Sequence, residues 1–451
     1  MLLLPSVKTP SLLGHVVEVL DVILSARRPA DAVVREFFRS RHYLGSSDRR
    51  FIAERTYDIL RHHRLLTVRS LGALQRLGMP PGAAALPTVM LVAAHESLFA
   101  PQEPCDLVSD IGTLWDASVG ETGCAQFVGA LASAGIPGEV LGDRAQELGV
   151  RHSIPDFVAA EWLDRFGPDE TEALCAASNG IPPVSIRANA LKGGVDECRA
   201  VLAQEGIIAA PGVLSPVGLV LPKRINAQGL HSFRQGLFEM QDEGSQILSM
   251  LLEVRPGMTV LDACAGGGGK TLHLAAIMQN RGKIIALDVD ARKLDNLVLR
   301  SRRAGVTIAV AEVVPAEAEP SGGHAADAVL IDAPCSGVGT FRRNPGAKLL
   351  CTEEYSLSLA RRQGALLERY AGAVRPRGRL VYSTCTILRR ENQEVVASFL
   401  SSHPEFSIIP APLVLERQGV RCPEGEGERY LELLPHRTGT DGYFAAVMER
   451  S

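Results

Sequence analysis

The sequence has no closely spaced cysteine pair and no long uninterrupted hydrophobic run. Its nine cysteines are an odd number, spread over 451 residues without any Cys-x-x-Cys spacing. That pattern argues against both a disulfide framework and a zinc site, so reduced thiols and no metal are expected. The first residues, Met1 to Pro5, lack a basic stretch ahead of an apolar one, and no apolar run reaches the ~18 residues of a membrane span. These absences predict a cytoplasmic protein without a membrane segment.

The sequence also lacks a large net charge, but its positive and negative residues are unevenly distributed along the chain. The net charge is −4; residues 1–80 contain thirteen Lys or Arg against seven Asp or Glu, whereas residues 81–180 contain three against fifteen. An arginine-rich helical region suits a phosphate-bearing partner, because each guanidinium offers a planar fork of donors to phosphate oxygens. An ordinary solvated helix face accounts for the same charges equally well.

The pattern of apolar residues divides the chain into three parts, and a length of 451 residues favours two or three domains. Residues 1–150 have apolar positions at helical spacing and predict an all-α domain. A linker is expected from near Ile136 to near Pro155, so residues 151–240 are expected to hold the end of this linker and a small α+β module. Residues 241–451 alternate apolar strands with helical segments, which predicts an α/β domain with a doubly wound parallel sheet.

The individual elements of the last two parts are placed as follows. The small module is expected to have strands at 184–188 and 218–221 and a helix at 195–205. The strands of the large sheet are expected at 258–262, 283–288, 306–311, 328–332 and 378–383, with two more at 430–434 and 443–448.

A glycine-rich loop, Asp262 to Thr271, follows the first strand of the large sheet. A turn of this kind lets the backbone approach a ligand, and the N-terminus of the next helix favours negative charge. Cys264 stands where a Walker A loop requires glycine, and Thr271 stands where a dinucleotide-binding fingerprint needs its last glycine. Both of these hypotheses, a phosphate-binding Walker A loop and a dinucleotide site, therefore lose support. Asp288 ends the next strand, where a carboxylate can accept hydrogen bonds from ribose hydroxyls. The loop predicts a nucleotide-like cofactor, the alternative being a plain glycine-rich turn with a capping aspartate.

Two cysteines follow two further strands of the same sheet. Cys335 lies in Asp332-Ala333-Pro334-Cys335-Ser336-Gly337, and Cys385 lies in Tyr382-Ser383-Thr384-Cys385-Thr386. Ligands of an open parallel sheet bind at the carboxyl ends of its strands, so both thiols are expected in one cleft. A single cysteine at a strand end is more often a small core residue. Both together, after the glycine loop, predict cysteine chemistry beside a bound cofactor.

These motifs jointly resemble one family, the S-adenosylmethionine-dependent RNA cytosine carbon-5 methyltransferases, in particular the bacterial 16S rRNA enzymes of the Sun (RsmB) type within the NOL1/NOP2/Sun family. The resemblance extends beyond the two cysteine motifs and the glycine loop to other segments, which are Leu44 to Ile52 with Leu60-Arg61, Pro183 to Asn189 with Leu191-Lys192, Gly236 to Gln246, Arg342 to Pro345 and Glu391-Asn392. It implies a Rossmann-like methyltransferase domain preceded by a NusB-like helical RNA-binding domain and a small α+β (RRM-like) module.

The resemblance also implies residue roles. Cys385 is the expected nucleophile that adds to carbon 6 of cytosine, and Cys335 assists removal of the carbon-5 proton or release of the adduct. Asp332 is expected to bond the cytosine edge at ring nitrogen 3, and Lys270 to hold Asp332. The cofactor is expected to be S-adenosylmethionine, and its candidate contacts are Cys264, Ala265, Gly266, Gly267, Gly268, Gly269, Lys270, Asp288 and Asp332.

The chain departs from the family pattern at three places. Gly267 stands where the family usually has proline, which loosens the loop. The third strand lacks the aspartate that the family commonly places against the adenine, and Gly346 replaces an acidic residue common after the Arg-Arg-x-Pro stretch. Arg342 and Arg343 are expected either in a solvated loop or at RNA phosphates. The cysteines other than Cys335 and Cys385 are expected to be packing or surface residues, and they are Cys264, Cys105, Cys124, Cys175, Cys198, Cys351 and Cys422.

The expected function is therefore formation of 5-methylcytidine in structured RNA, with 16S rRNA or a small-subunit assembly intermediate as the partner. Two alternatives stay open. The first is the same chemistry on tRNA. The second is an RNA-binding assembly or antitermination factor whose catalytic domain is vestigial, although the presence of both cysteines, Asp332 and Lys270 weighs against it.

Overall fold

The computed structural model describes residues 9–26, 28–79, 86–100, 104–115, 120–133, 142–315, 325–420 and 429–451. The chain divides into two compact units. The helical unit comprises Met1–Gly180 with Phe341–Thr352, and the sheet unit comprises Ile181–Thr340 with Glu353–Ser451. The residues Met1 to Pro5, the start of the predicted linker near Ile136, and Cys422 lie outside the described residues.

The helices are α1 (Thr9–Ala26), α2 (Ala30–Ser40), α3 (Ser46–Arg61), α4 (His63–Arg76), α5 (Thr88–Phe99), α6 (Pro104–Gly112), α7 (Gly120–Ser133), α8 (Arg144–His152), α9 (Asp156–Phe166), α10 (Pro168–Asn179), α11 (Gly194–Gln204), α12 (His231–Arg234), α13 (Glu243–Met250), α14 (Gly269–Ile277), α15 (Ala291–Ala304), α16 (Ala347–Leu350), α17 (Glu353–Ala371), α18 (Gln393–Ser402), α19 (Ala411–Glu416) and α20 (Pro435–Thr438). The strands are β1 (Val184–Ala188), β2 (Ala210–Pro211), β3 (Gly218–Leu221), β4 (Phe238–Met240), β5 (Thr259–Asp262), β6 (Lys283–Asp288), β7 (Ala309–Val313), β8 (Ala326–Asp332), β9 (Val374–Thr384), β10 (Phe406–Ile409), β11 (Leu431–Leu433) and β12 (Tyr443–Arg450).

The described residues of the helical unit form helices and no strands, and helices continue past residue 150 to Asn179. The predicted division at residue 151 therefore falls inside α8, and it stays a prediction. Of the described helices, only α1 is long and apolar enough to cross a membrane, by length and composition alone. One face of α1 nevertheless packs into the core of this unit, through Leu12, Leu13, Val16, Val19, Leu20 and Ile23. That amphipathic burial is the pattern of a core helix in a bundle.

The basic and acidic stretches of the first 180 residues fold into the same unit. The Arg55 guanidinium lies 3.1 Å from the fully buried Glu96 carboxylate, and Arg64 lies 2.5 Å from Asp156. His95 bridges Asp58 and Glu96, at 2.8 Å from each. Much of the basic charge counted in residues 1–80 is therefore paired with acidic residues of the same unit.

The segment Phe341–Thr352 leaves the sheet unit and packs in the helical unit. The Arg61 guanidinium donates to the Arg342 carbonyl at 3.0 Å. The buried Lys348 ammonium donates to the carbonyls of Arg61 and His152, at 3.0 and 3.1 Å, and to the side-chain oxygen of Asn179. The prediction for Arg342 is wrong on both counts, because its side chain is buried rather than solvated or open to RNA phosphates. Arg343 is exposed.

The small sheet of the sheet unit is antiparallel, in the order β2-β3-β1-β4. The predicted strands at 184–188 and 218–221 are confirmed, and α11 covers the predicted helix. The sheet and α11 enclose a small core of their own, which includes Ile186, Cys198 and Phe238.

The large sheet has the order β10-β12-β9-β8-β5-β6-β7, with β11 paired to β12. Strands β5 to β9 are parallel to their neighbours within that set, whereas β12 is antiparallel to β9. Its strands are apolar runs because helices cover both faces, and separate buried cores form there, two of them large. The chain passes outward from β5 through β6 to β7 and then returns to β8 on the other side of β5. This reversal marks the switch point where ligands of such sheets bind.

The third strand of the large sheet begins later than expected, at Ala309 rather than 306. The reason is the end of α15. Gly305 adopts a left-handed conformation with φ of 76°, and the Val306 amide donates to the Ser301 carbonyl at 2.9 Å. Val306 therefore belongs to the helix cap and not to the strand.

Candidate active site

The predicted site residues meet at the carboxyl ends of three adjacent strands, β5, β8 and β9. Parallel register places Asp262 beside Leu330 and Asp332 beside Ser383. The glycine loop, the Pro-Cys loop and the Thr-Cys loop therefore all leave the same edge of the sheet. The structure brings together the residues that the motifs singled out.

The glycine loop turns sharply between β5 and α14. Gly266 and Gly268 have φ of 53° and 84°, in the left-handed region that favours glycine. The Ala265 amide donates to the Leu287 carbonyl at 2.8 Å, and the Gly268 amide donates to the Ala265 carbonyl at 2.9 Å. Helix α14 begins at Gly269, so its unpaired amides face the end of this loop.

Asp288 at the end of β6 has two backbone partners that the sequence did not indicate. One carboxylate oxygen accepts from the Gly266 amide at 2.9 Å, and the other accepts from the Asp290 amide at 2.9 Å. Each oxygen keeps a lone pair for a further donor. Asp288 thus holds the glycine loop and can still accept from a ribose hydroxyl.

Asp262 and Cys264 lie at the start of this loop. Asp262 accepts from the Thr271 hydroxyl at 2.6 Å, and burial raises the pKa of its carboxyl to about 6. Its other oxygen is buried without a hydrogen-bond partner among the described residues. Burial, with nearby carboxylates, raises the pKa of the Cys264 thiol to about 12, so Cys264 is a neutral thiol and a poor nucleophile.

Lys270 and Asp332 form an ion pair in the cleft. The Lys270 ammonium lies 2.6 Å from one Asp332 oxygen, and the Ser383 hydroxyl donates to the other at 3.1 Å. The Lys270 side chain is 11% exposed and the Asp332 side chain 32% exposed, so Asp332 still presents a face to solvent. Ser383 is a contact that motif matching did not single out.

The two thiols are adjacent. The Cys335 and Cys385 sulphur atoms lie 3.1 Å apart, and the Cys385 amide donates to the Cys335 sulphur at 3.3 Å. The hydrogen bond to Cys385 and burial raise the pKa of the Cys335 thiol well above its usual value. Cys335 therefore keeps its proton at neutral pH and can donate it in a hydrogen bond to the Cys385 sulphur.

A buried carboxylate supports both cysteine loops. Glu391 accepts from the Ser336 amide at 2.9 Å, the Gln363 amide group at 3.0 Å and the Ser356 hydroxyl at 2.7 Å. Gln363 also donates to the Pro334 carbonyl at 2.9 Å. Glu391 was noted only as part of a motif, and Gln363 not at all, because their partners are far away in sequence.

Asn392 holds the second cysteine loop in the same way. Its side-chain oxygen accepts from the Thr384 hydroxyl at 2.7 Å, and its amide group donates to the Thr386 carbonyl at 2.9 Å. The Ser336 and Thr386 hydroxyls are 3.0 Å apart, which links this loop to the first. The spacing of the thiols is therefore set by buried hydrogen bonds on both sides.

Other described cysteines lie away from this edge. Cys124, Cys175, Cys198 and Cys351 are buried. Burial raises the pKa of the Cys175 and Cys198 thiols to about 12, as suits packing residues. The side chain of Cys105 lies outside the described residues.

Comparisons with known proteins agree with this arrangement. A family model described as 16S rRNA methyltransferase RsmB/F matches residues 249–449, and one for a ferredoxin-like domain of RsmF/B-like methyltransferases matches residues 154–228. The chain is 36% identical over 341 residues to the probable ribosomal RNA small subunit methyltransferase B of Bacillus subtilis, with 73% of this chain and 75% of that protein covered. It is 28% identical over 457 residues to the similarly named Synechocystis protein, covering 95% and 100%.

Two solved structures share the fold. The crystal structure of PH0851 superposes with a TM-score of 0.77 at 28% identity and covers 100% of both chains. A methyltransferase homolog protein from Pyrococcus horikoshii superposes with a TM-score of 0.59 at 25% identity and covers 69% of this chain and 100% of that one. The sheet order, the glycine loop and these matches define a Rossmann-like, S-adenosylmethionine-dependent methyltransferase. Within that class, the chain belongs to the RsmB/F family of 16S rRNA methyltransferases.

The residues at the strand ends fit S-adenosylmethionine. A Cβ built on Gly266 would meet no atom within 4 Å, so the backbone there is open to a ligand. Asp262, at the start of the loop, contributes an oxygen that has no hydrogen-bond partner among the described residues, and Asp288 retains accepting capacity for the ribose. These features favour a cofactor loop over a plain glycine turn.

Proposed function

We propose that this protein transfers the methyl group of S-adenosylmethionine to carbon 5 of a cytosine in structured RNA, with 16S rRNA as the substrate. The observation that carries the proposal is the pair of sulphur atoms 3.1 Å apart at the edge of a methyltransferase sheet. Relatives named ribosomal RNA small subunit methyltransferase B support the choice of RNA. A ribosomal RNA substrate places the enzyme in the cytoplasm.

Cys385 begins the reaction. Carbon 5 of cytosine is a weak nucleophile, so the Cys385 thiolate first adds to carbon 6, and the displaced electron pair makes carbon 5 electron-rich. Asp332 accepts a hydrogen bond from ring nitrogen 3 of the cytosine, which takes up a proton from solvent as negative charge develops there during the addition. Lys270 and Ser383 hold the Asp332 carboxylate in place for that contact.

The bound cofactor supplies an electrophilic methyl group to carbon 5. The carbon-5 proton must then leave, so that the electron pair of that bond restores the ring double bond and expels the Cys385 thiolate. Cys335 assists this step. The hydrogen bond to Cys385 and burial both hold the proton on the Cys335 thiol. Cys335 therefore assists by donating that hydrogen bond to the Cys385 sulphur as it leaves carbon 6, while the carbon-5 proton passes to solvent.

The target base must leave its stack to reach Cys385, because the thiolate has to approach carbon 6 from the face of the ring. Loops or incompletely folded RNA meet this requirement at the lowest unstacking energy. The 16S rRNA of a small-subunit assembly intermediate is therefore a better substrate than 16S rRNA in which the target cytosine is already stacked in a duplex.

The helical unit is proposed to bind RNA as a NusB-like domain. We keep the proposed division into three domains. Residues 1–150 bind RNA, residues 151–240 form a connecting module, and residues 241–451 carry out catalysis. The match of a ferredoxin-like domain to residues 154–228 supports the second of them.

Bisulfite sequencing of 16S rRNA and tRNA from a deletion strain tests the proposed function. We expect one or more unconverted 16S cytosines in the parent strain to become convertible in the deletion strain. Complementation with the wild-type gene should restore protection, and complementation with Cys385→Ala should not. Loss of protection in tRNA alone would favour the tRNA alternative, and no change in either RNA would favour an assembly factor with a vestigial site.

A further inference from the structure

Two arginines from outside the glycine loop donate hydrogen bonds to its carbonyl groups. Arg300 on α15 donates to the Gly267 carbonyl at 2.6 Å. Arg187 on β1 donates to the Gly269 carbonyl at 2.7 Å. Gly268, which lies between the two tied residues, is in the left-handed conformation.

A buried carboxylate holds Arg300 in this position. Glu239 on β4 accepts from Arg300 through two nitrogens, at 3.1 and 3.0 Å, and its side chain is only 4% exposed. Arg303 binds the other oxygen of Glu239, and its guanidinium lies 3.8 Å from the centre of the Phe233 ring. Arg303 shares the carboxylate with Arg300, but among the described residues it donates no hydrogen bond to the glycine loop.

The small sheet supplies this support. Register pairs Arg187 directly with Glu239 on neighbouring strands, so both side chains lie on one face of that sheet. Arg187 is buried and also bonds the side chain of Gln241. Burial lowers the pKa of Arg187 to about 9, which leaves it charged at neutral pH.

Tying a carbonyl fixes a whole peptide plane, because the peptide group is planar. The plane that contains the Gly269 carbonyl also contains the Lys270 amide at the start of α14. The plane that contains the Gly267 carbonyl also contains the Gly268 amide, which closes the turn onto Ala265. Four consecutive glycines would otherwise sample many conformations, and ordering them on cofactor binding would weaken affinity.

We propose that Arg300, backed by Glu239, is a positioning residue for cofactor binding that holds the glycine loop ordered before S-adenosylmethionine arrives. Arg187 provides a second tie on the same loop. The small α+β module thereby takes part in cofactor binding, because the face of its sheet that carries Arg187 and Glu239 supports the glycine loop. This role is additional to any contact with RNA.

Gly267 offers an independent way to test this role. Its φ lies outside the left-handed region, its amide donates no hydrogen bond within the described part of the chain, and a Cβ there would meet only the Arg300 guanidinium, at 3.2 Å. Proline at this position would therefore restrict the loop by a route that needs no arginine. If proline already makes the loop rigid, loss of the Arg300 hydrogen bond should weaken cofactor binding less.

The experiment measures S-adenosylmethionine binding by calorimetry without RNA, so its result does not depend on which base is methylated. We expect Arg300→Met to weaken binding about tenfold, as for loss of a charge-assisted hydrogen bond. The matched control Arg303→Met, which loosens Glu239 but not the loop, should stay within about twofold of wild type. The Michaelis constant for RNA should not change in either variant.

The rescue arm adds Gly267→Pro. We expect it to tighten binding about threefold in the Arg300→Met background and to have little effect in the wild-type background. Arg300→Lys, which keeps the charge beside Glu239 but can reach only one of its two partners, gives an intermediate affinity and replaces the methionine variant if that variant does not fold. Wild-type affinity in both Arg300 variants, equal losses in the Arg300 and Arg303 variants, or the same effect of Gly267→Pro in both backgrounds would overturn the proposal.

Discussion

The sheet unit and the helical unit use charged side chains in opposite ways. In the sheet unit, strand ends bring Lys270, Asp332 and both cysteines to one edge, where Asp332 keeps a solvent-facing side. In the helical unit, charged residues pair with one another, as Arg55 does with the buried Glu96. The carboxyl ends of parallel strands lie at one edge of a sheet, so residues that follow these strands come together wherever they lie in the sequence. The position of a charged residue along a helix does not determine which residue it will pair with. A motif is therefore a better guide to function in the first unit than a charge count is in the second.

Removing Lys270 should have the largest effect of the substitutions outside the cysteine pair. Lys270→Met leaves Asp332 without its cation, so the carboxylate is neither oriented nor balanced as charge develops on cytosine. We expect methylation to fall about 10²–10³-fold, as when one preorganised donor is lost from a catalytic site. Initial rates with saturating RNA and cofactor measure this. Lys283→Met, at an exposed position on β6, is the control, and equal rates in both variants would contradict the role of Lys270.

Glu391→Gln should be next in size and should act mainly on stability. The amide cannot accept from the Ser336, Ser356 and Gln363 donors as the carboxylate does, so about 1–3 kcal/mol of unfolding free energy should be lost. Urea denaturation measures the change. Glu394→Gln, an exposed neighbour on α18, should be close to neutral. Similar losses in both variants would mean that the buried network does not support the cysteine loops.

The sequence predicted the glycine loop and the cysteine pair because each motif is local and follows a recognisable buried strand. It could not predict Gln363, Arg300 or Arg187 as contacts of these loops, since each reaches its partner from a distant part of the chain. The arginines of residues 1–80 were a different case. Their number was visible in the sequence, but pairs such as Arg55 with Glu96 form only when the helices pack.

A third prediction concerns Lys348, the buried cation of the helical unit. Burial, with the nearby Arg61 charge, lowers the pKa of its ammonium to about 7. Between that value and the ordinary lysine pKa of ~10.4, the unfolded chain holds a proton that the folded unit has lost, so stability rises with pH by at most ~1.4 kcal/mol per pH unit. Calorimetry from pH 7 to pH 9 should show wild type gaining stability relative to Lys348→Met. The Lys283→Met control should follow wild type, and parallel curves for wild type and Lys348→Met would refute the prediction.

The smallest effect is expected at the surface of the helical unit. Arg35 and Arg39 are exposed on α2, whereas Arg28 is paired with Glu36 at 2.9 Å. If α2 contacts RNA, the double variant Arg35→Gln/Arg39→Gln should weaken RNA binding a few-fold and reduce its salt slope by up to about 2. Arg28→Gln should change the slope less. An unchanged slope in the double variant would show that this basic face is only solvated.

The central claim, that Cys385 attacks cytosine and Cys335 assists release, is tested most directly by a denaturing gel of each cysteine variant with substrate RNA and S-adenosylmethionine. Cys385→Ala should form neither product nor a denaturant-resistant protein–RNA adduct. Cys335→Ala should accumulate the adduct, because addition and methyl transfer still occur while release stalls, and the double variant should lose it. An adduct in Cys385→Ala that vanishes in Cys335→Ala would reverse the two roles and contradict the account.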